Sequence, residues 1–169
     1  MDLPALMQDL QFSSFGTYIA TNQFAFPLIE CVHVIALAMV FGTIAIVDLR
    51  LLGVPSTRRP FTEIAAESLK WTWIAFALAA ITGFMLFVSN ATAYYENIPF
   101  RLKMLLLVIA GLNMLIFEVL IVRSVHSWNR DLPVPIAGKV AGTLSLLCWT
   151  GVIVFGRWIG FTMGMSLPF

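Results

Sequence analysis

Four long apolar stretches, about Pro27–Leu52, Leu69–Ser89, Leu102–Val122 and Ile136–Ile159, take up most of this chain of 169 residues. A helix needs roughly 20 apolar residues to cross the hydrocarbon core of a bilayer, and each stretch is long enough. In hydrocarbon every backbone N–H and C=O must be satisfied within its own segment, so the expected fold is all-α. Composition points the same way: 60% of residues are hydrophobic, 11% are charged, and the mean hydropathy is +0.91. A soluble domain carries about 25% charged residues. So small a chain cannot hide the deficit in a core, because small domains keep proportionally more surface in water. The expectation is one domain over residues 1–169, an integral membrane bundle of four transmembrane helices with the lipid bilayer as its first partner.

Prolines punctuate the spans. Pro27 suits the first turn of its helix, where its missing N–H has no partner to lose, and Pro99 plays the same part before span three. Pro133 and Pro135 keep the approach to span four extended. Gly53 and Pro55 end span one. Residues Leu3–Tyr18 alternate apolar and polar groups too often to span, and Leu3, Leu6, Met7, Leu10, Phe12 and Phe15 form one apolar face. That pattern predicts an N-terminal interfacial helix. Pro60–Leu69 (PFTEIAAESL) reads as a second short amphipathic piece leading into span two. MDLPALMQDL has no basic region ahead of an apolar one, so the N-terminus is expected to be retained.

Lysine and arginine set the orientation. The loops joining spans 1–2 and 3–4 carry seven (Arg50, Arg58, Arg59, Lys70, Arg123, Arg130, Lys139), against three (Arg101, Lys103, Arg157) on the opposite side. Cytoplasmic loops collect such residues, so both termini are expected outside. In a bacterium this means a multi-pass protein of the inner membrane with periplasmic termini. Net charge is +1, and the longest basic run is Arg58-Arg59, which argues against nucleic acid as a partner.

Function is to be sought in the ionisable residues that interrupt the spans. Glu30 and His33 lie one turn apart in LIECVHVIALAMVFGTIAIV. An ionisable group at mid-span costs at least ~2.5 kcal/mol, so it usually faces a protein interior, a cofactor or a water-filled cavity. Neutral imidazole is the commonest metal ligand, and ligating histidines lean on a neighbouring acceptor. A structural histidine paired with Glu30 or a helix carbonyl, and a proton- or quinone-handling pair, are the other readings. By helix rise, Glu30 and His33 lie roughly 5 and 10 Å in from the outer end of span one. Met85, Lys103 and Arg157 come to similar depth in the other spans, so Glu30, His33, Met85, Lys103 and Arg157 are expected to cluster. His126 sits ~35 Å of helix below Arg101 and cannot share one haem with His33 in the same subunit.

A second polar layer lies at the other end. Asp48 and Arg50 close span one, and Glu118 interrupts span three. Asp48 follows Glu30 by five full turns and shares its face, and Arg50 is expected to neutralise Glu118. Asn113 is expected to hydrogen-bond a neighbouring helix. The same holds for the glycine series in span four (Gly138, Gly142, Gly156, Gly160, Gly164), read as close bundle packing. Cys31 and Cys148 read as small buried hydrophobes, not as a disulfide framework. Met163 and Met165 offer two soft thioethers that suit Cu(I), and the other six methionines are expected to fill core space. Tyr94, Tyr95, Trp158 and Phe161 read as interfacial anchors. No nucleophile–base arrangement, phosphate loop or metalloprotease motif is present, so no enzymatic reaction is assigned.

The strings FAFPLIECVHVIALAMVFGTIAIVDLRLLG, WTWIAFALAAITGFMLF, RLKMLLLVIAGLNMLIFE and SLLCWTGVIVFGRWIGF resemble an uncharacterised family of small bacterial four-span membrane proteins, from about Phe24 to Phe161. Phe26-Pro27, Glu30, His33, Asp48-Leu49-Arg50, Asn113 and Gly156-Arg157-Trp158 carry the resemblance. More distantly, His33 followed by Gly42 is similar to copper-resistance protein D and to membrane haem proteins of the protoporphyrinogen-oxidase type, which implies haem or copper handling at His33. The resemblance also implies a histidine where this chain has Glu118, so a two-histidine site across spans one and three does not carry over. The leading expectation is a membrane-embedded haem-b-binding or redox-linked subunit, passing electrons to quinone or serving a larger membrane complex. His33 would be an axial ligand, Met85 a second one, and Lys103 and Arg157 the partners of propionates. The alternatives are a proton or copper channel or transporter, as a homo-oligomer, and a non-catalytic scaffold or assembly subunit.

Overall fold

A computed structural model describes residues 2–54, 60–121, 125, 129 and 134–163. Pro55, Arg58, Arg59, Val122, Arg123, His126, Arg130, Pro133, Gly164 and Met165, named above, lie outside the described residues. The chain runs α1 (Leu3–Gln11), α2 (Ser14–Thr21), α3 (Ala25–Leu51), α4 (Phe61–Ser89), α5 (Ala91–Glu96), α6 (Ile98–Ile116) with a π turn over Phe117–Ile121, and α7 (Ile136–Thr162). α3, α4, α6 with its π turn, and α7 are the four helices long and apolar enough to cross a membrane. The protein is a multi-pass, all-helical membrane protein.

Two boundaries differ from expectation. Pro60–Leu69 is not a separate amphipathic piece: α4 runs unbroken from Phe61, because neither glycine nor proline interrupts it before Gly83. Its first turn is held by Asn129, whose carbonyl accepts from Phe61 N–H at 2.9 Å and whose Oδ1 accepts from Thr62 N–H at 3.1 Å. The N-terminal interfacial helix is two helices. Ser13 breaks it by capping α2, its Oγ accepting from Gly16 N–H at 3.1 Å. Leu3, Leu6, Phe12 and Phe15 remain exposed, so the bundle leaves this apolar face uncovered. Gln11 ties the pair to α5 through the Thr92 backbone N–H and hydroxyl. α3 ends where Gly53, at φ +84°, lets Val54 N–H reach back to the Leu49 carbonyl, a closure that suits glycine.

The four long helices form an arc. α3 packs along α4, α6 along α7, and the two pairs join where α3 meets α7. α4 and α6, at the ends of the arc, stand apart. They approach at the α5 end, where the Phe87 and Phe100 rings stack at 5.5 Å. A core of Val40, Ala75, Ala110, Cys148, Trp149 and Val152 holds the middle. Cys148 is thus a core hydrophobe, while Cys31 is exposed. Met39, Met104 and Met114 do not fill the core as expected, but face outward among many other exposed apolar side chains. Hydrocarbon, not water, is the environment that tolerates so much exposed apolar surface.

Gly142 is where α3 and α7 come closest. A Cβ there would stand 3.2 Å from the Asp48 carbonyl oxygen and 3.2 Å from Leu51 Cβ. Close approach through a small residue is the expected packing role of the span-four glycines, and Gly142 fills it. Gly160 does not: no atom lies within 4 Å of its Cβ position. Asn113 reaches from α6 to α7, its Nδ2 donating to the Ala141 carbonyl at 3.0 Å, as expected.

Candidate functional site

His33 projects from α3 onto α4. Its Nδ1 lies 3.0 Å from Thr82 Oγ1, and the Thr82 hydroxyl donates to the Leu78 carbonyl at 2.7 Å. A hydroxyl has one proton, so once it bonds Leu78, Thr82 Oγ1 can only accept from the imidazole. This bond places the proton on Nδ1 and leaves Nε2 with a lone pair, the form in which a histidine ligates a metal.

Gly83 makes room for the ring. A Cβ on Gly83 would stand 2.9 Å from His33 Cε1, closer than real contacts allow. Gly83→Ala is therefore expected to push the imidazole off Thr82, at about the ~0.5–1.5 kcal/mol that one hydrogen bond contributes. Changed chemical shifts of the His33 ring with the helical circular dichroism retained would show it. Unchanged shifts would mean that the ring is not seated as described.

Lys103, on α6, is close enough for its charge to act on His33. It is half-buried, with its Nζ 3.5 Å from where a Cβ of Gly156 would stand, so α7 opens a space for its stem. Met85 lies one turn beyond Thr82 on α4 and is also half-buried. Glu30 and Arg157 are on exposed positions. The Arg157 guanidinium lies over the Phe161 ring at 5.4 Å, as Arg101 lies over Tyr95 at 5.4 Å. Of the five expected site residues, then, His33 and Lys103 turn inward together, Met85 flanks them, and Glu30 and Arg157 sit at the periphery. Tyr94, on α5, is close enough to feel Glu30. Burial first, and that carboxylate second, hold its phenol above the ordinary value of 10.0.

The sequence reading missed Thr82 and Gly83. The depth argument that placed Met85 beside His33 applies equally to its neighbours, and a hydroxyl next to a glycine in AITGFM was the available signal. In the second polar layer, Arg50 is buried with its Nη2 donating to the Asn129 carbonyl at 3.4 Å, while Glu118 is exposed. Among the described residues no group of three or more His, Cys, Asp or Glu side chains is placed to hold a metal ion.

The fold and this site define a four-span integral membrane protein with His33 held between α3 and α4. The chain belongs to the family of unknown function DUF6644, whose model matches residues 11–162. No curated protein and no solved structure matches the chain significantly.

Proposed function

We propose that this protein is a haem-b-binding, redox-linked subunit of the bacterial inner membrane, with His33 as axial ligand. The observation that carries the reading is the Thr82–His33 hydrogen bond, which leaves Nε2 free to ligate. A bare metal ion would require several protein donors, whereas a porphyrin brings four nitrogens of its own and asks the chain for one. This favours haem over copper, for which Met163 and Met165 remain the alternative donors. When bound, haem supplies one-electron chemistry. The chain would orient the ligating imidazole through Thr82 and neutralise a propionate through Lys103, with Met85 the nearest candidate for a second axial donor. Arg157, at its exposed position, would meet a propionate at the membrane surface. Electrons would pass to quinone or to a partner subunit.

The test is direct. The protein purified from native membrane, or titrated with haemin in detergent, is expected to show a Soret band. A preparation that stays colourless under both conditions removes the proposal. The scaffold reading would then stand, with the Thr82–His33 bond serving only to lock α3 to α4.

We propose further that the termini are periplasmic and the Gly53 end of the bundle cytoplasmic, a reading that the excess of lysine and arginine in the loops after spans one and three supports. On a background without native cysteines, Cys at Val54 is expected to resist a membrane-impermeant maleimide in intact cells, and Cys at Ala93 to react. The reverse pattern would invert the topology.

A further inference from the structure

At the far end of the bundle from His33, the gap between α4 and α6 encloses a cavity of about 370 Å³. Small-molecule sites run from ~300 to 1,000 Å³, so its size is adequate. α3 and α7 form the floor, and α4 and α6 form the walls. Because those two helices stand apart, the mouth opens sideways, towards lipid. The walls are apolar and aromatic, with Phe61, Trp73, Phe76, Phe117 and Trp149 facing the space. The π turn that carries Phe117 and Glu118 belongs to this wall. Such turns recur at functional sites, since one extra residue per turn re-aims the side chains.

Among the described residues that line this cavity, the ionisable groups have one sign. The single proton of the Thr72 hydroxyl goes to Thr43 Oγ1, at 2.8 Å, or to the Ser68 carbonyl, at 2.9 Å. The Asn113 amide donates to the Ala141 carbonyl at 3.0 Å. The charge that remains is acidic. Asp48 lines the cavity at 5% exposure, and no hydrogen-bond partner reaches its Oδ2 among the described residues. Glu118 stands on the same cavity as a second carboxylate, and no lysine or arginine is among the described residues that line it. Arg50, two residues on from Asp48, donates through Nη2 to the Asn129 carbonyl, and residues two apart on a helix do not face each other. A carboxylate in hydrocarbon needs a positive partner, and aromatic walls attract organic cations further.

We infer that this cavity is a binding site for an amphipathic organic monocation that enters sideways from the lipid between α4 and α6, its charge set towards Asp48 and its apolar body against Trp73, Phe76 and Trp149. A neutral quinone head fits less well, because it brings no positive charge to Asp48 and Glu118. The site is independent of His33 and of any cofactor there.

Methyltriphenylphosphonium is the probe, and triphenylphosphine oxide is its neutral counterpart of similar size. Binding of each to the full chain in detergent is read by quenching of tryptophan fluorescence and by calorimetry. The cation is expected to bind at least tenfold more tightly than the neutral molecule, and Asp48→Asn to remove most of that difference. Gly111→Leu offers a second variant: Gly111 lines the cavity and no atom lies within 4 Å of its Cβ position, so the new side chain fills the space without a clash at its base. It is expected to weaken the cation at least tenfold, whereas Leu105→Ala, outside the cavity, leaves it unchanged. Equal binding of cation and neutral molecule, tighter binding of decylubiquinone than of the cation, or full binding in Gly111→Leu would each overturn the inference. Should Asp48→Asn fail to fold, the neutral counterpart and Gly111→Leu decide the matter alone.

Discussion

Replacing His33 by alanine is expected to abolish the Soret band of the purified protein, the largest effect any single substitution should have on its ligand. Among the described residues, His33 Nε2 is the imidazole nitrogen left uncommitted. Thr82→Val keeps the shape of the side chain but removes the acceptor that holds the proton on Nδ1. Changes to a group that orients a ligand typically cost ~10–100-fold in affinity, so Thr82→Val should weaken haem without eliminating it. Haem titration of both variants, with thermal melts in parallel, separates two roles for the pair. A graded loss of haem, complete for His33→Ala and partial for Thr82→Val, is the signature of a ligand and its orienting partner. If both variants instead lower the melting temperature alike and bind as the unaltered protein does, the bond is a helix clamp and His33 is not a ligand.

The largest stability effect is expected at Gly16→Ala. A Cβ there would stand 2.6 Å from the Gln11 carbonyl oxygen, 2.9 Å from that of Leu10 and 3.0 Å from that of Val88. All three are backbone atoms, so no side-chain rotation relieves the contact. The α1–α2 corner must move away from the end of α4, loosening the hold of Gln11 on Thr92. Overpacking of this kind costs ~1–3 kcal/mol. The variant is expected to melt several degrees lower and to expose the segment before Ser14 to protease, while the four long helices remain. A melt and digestion pattern equal to those of the unaltered protein would mean that α2 does not sit against Val88 as described.

The contrast between the two ends of α3 shows how far the sequence could be read. Glu30 and Asp48 share one face of that helix by arithmetic, five turns apart, yet Glu30 is exposed and Asp48 is 5% exposed. The difference comes from α7, which closes on α3 at Gly142, beside Asp48. Nothing in the periodicity of either helix states where two helices cross. The same limit applies to Arg157: depth placed it level with His33, but rotation about the α7 axis puts it on an exposed position over Phe161. Asn113 and Cys148 were legible because a polar or a small residue in an apolar span has few ways to be satisfied.

The number of spans, their approximate limits and their helical state were determined by sequence alone, because a helix in hydrocarbon satisfies its own backbone and its apolar content marks it. So was the presence of ionisable residues at two depths. Which of them meet was decided only by tertiary structure. The partners Thr82 and Gly83 of His33, the arc that leaves α4 and α6 apart, and the acid-lined cavity between them depend on crossing points and helix rotation. Those arise from packing between segments distant in the chain, where small residues let backbones approach and bulky ones hold them apart.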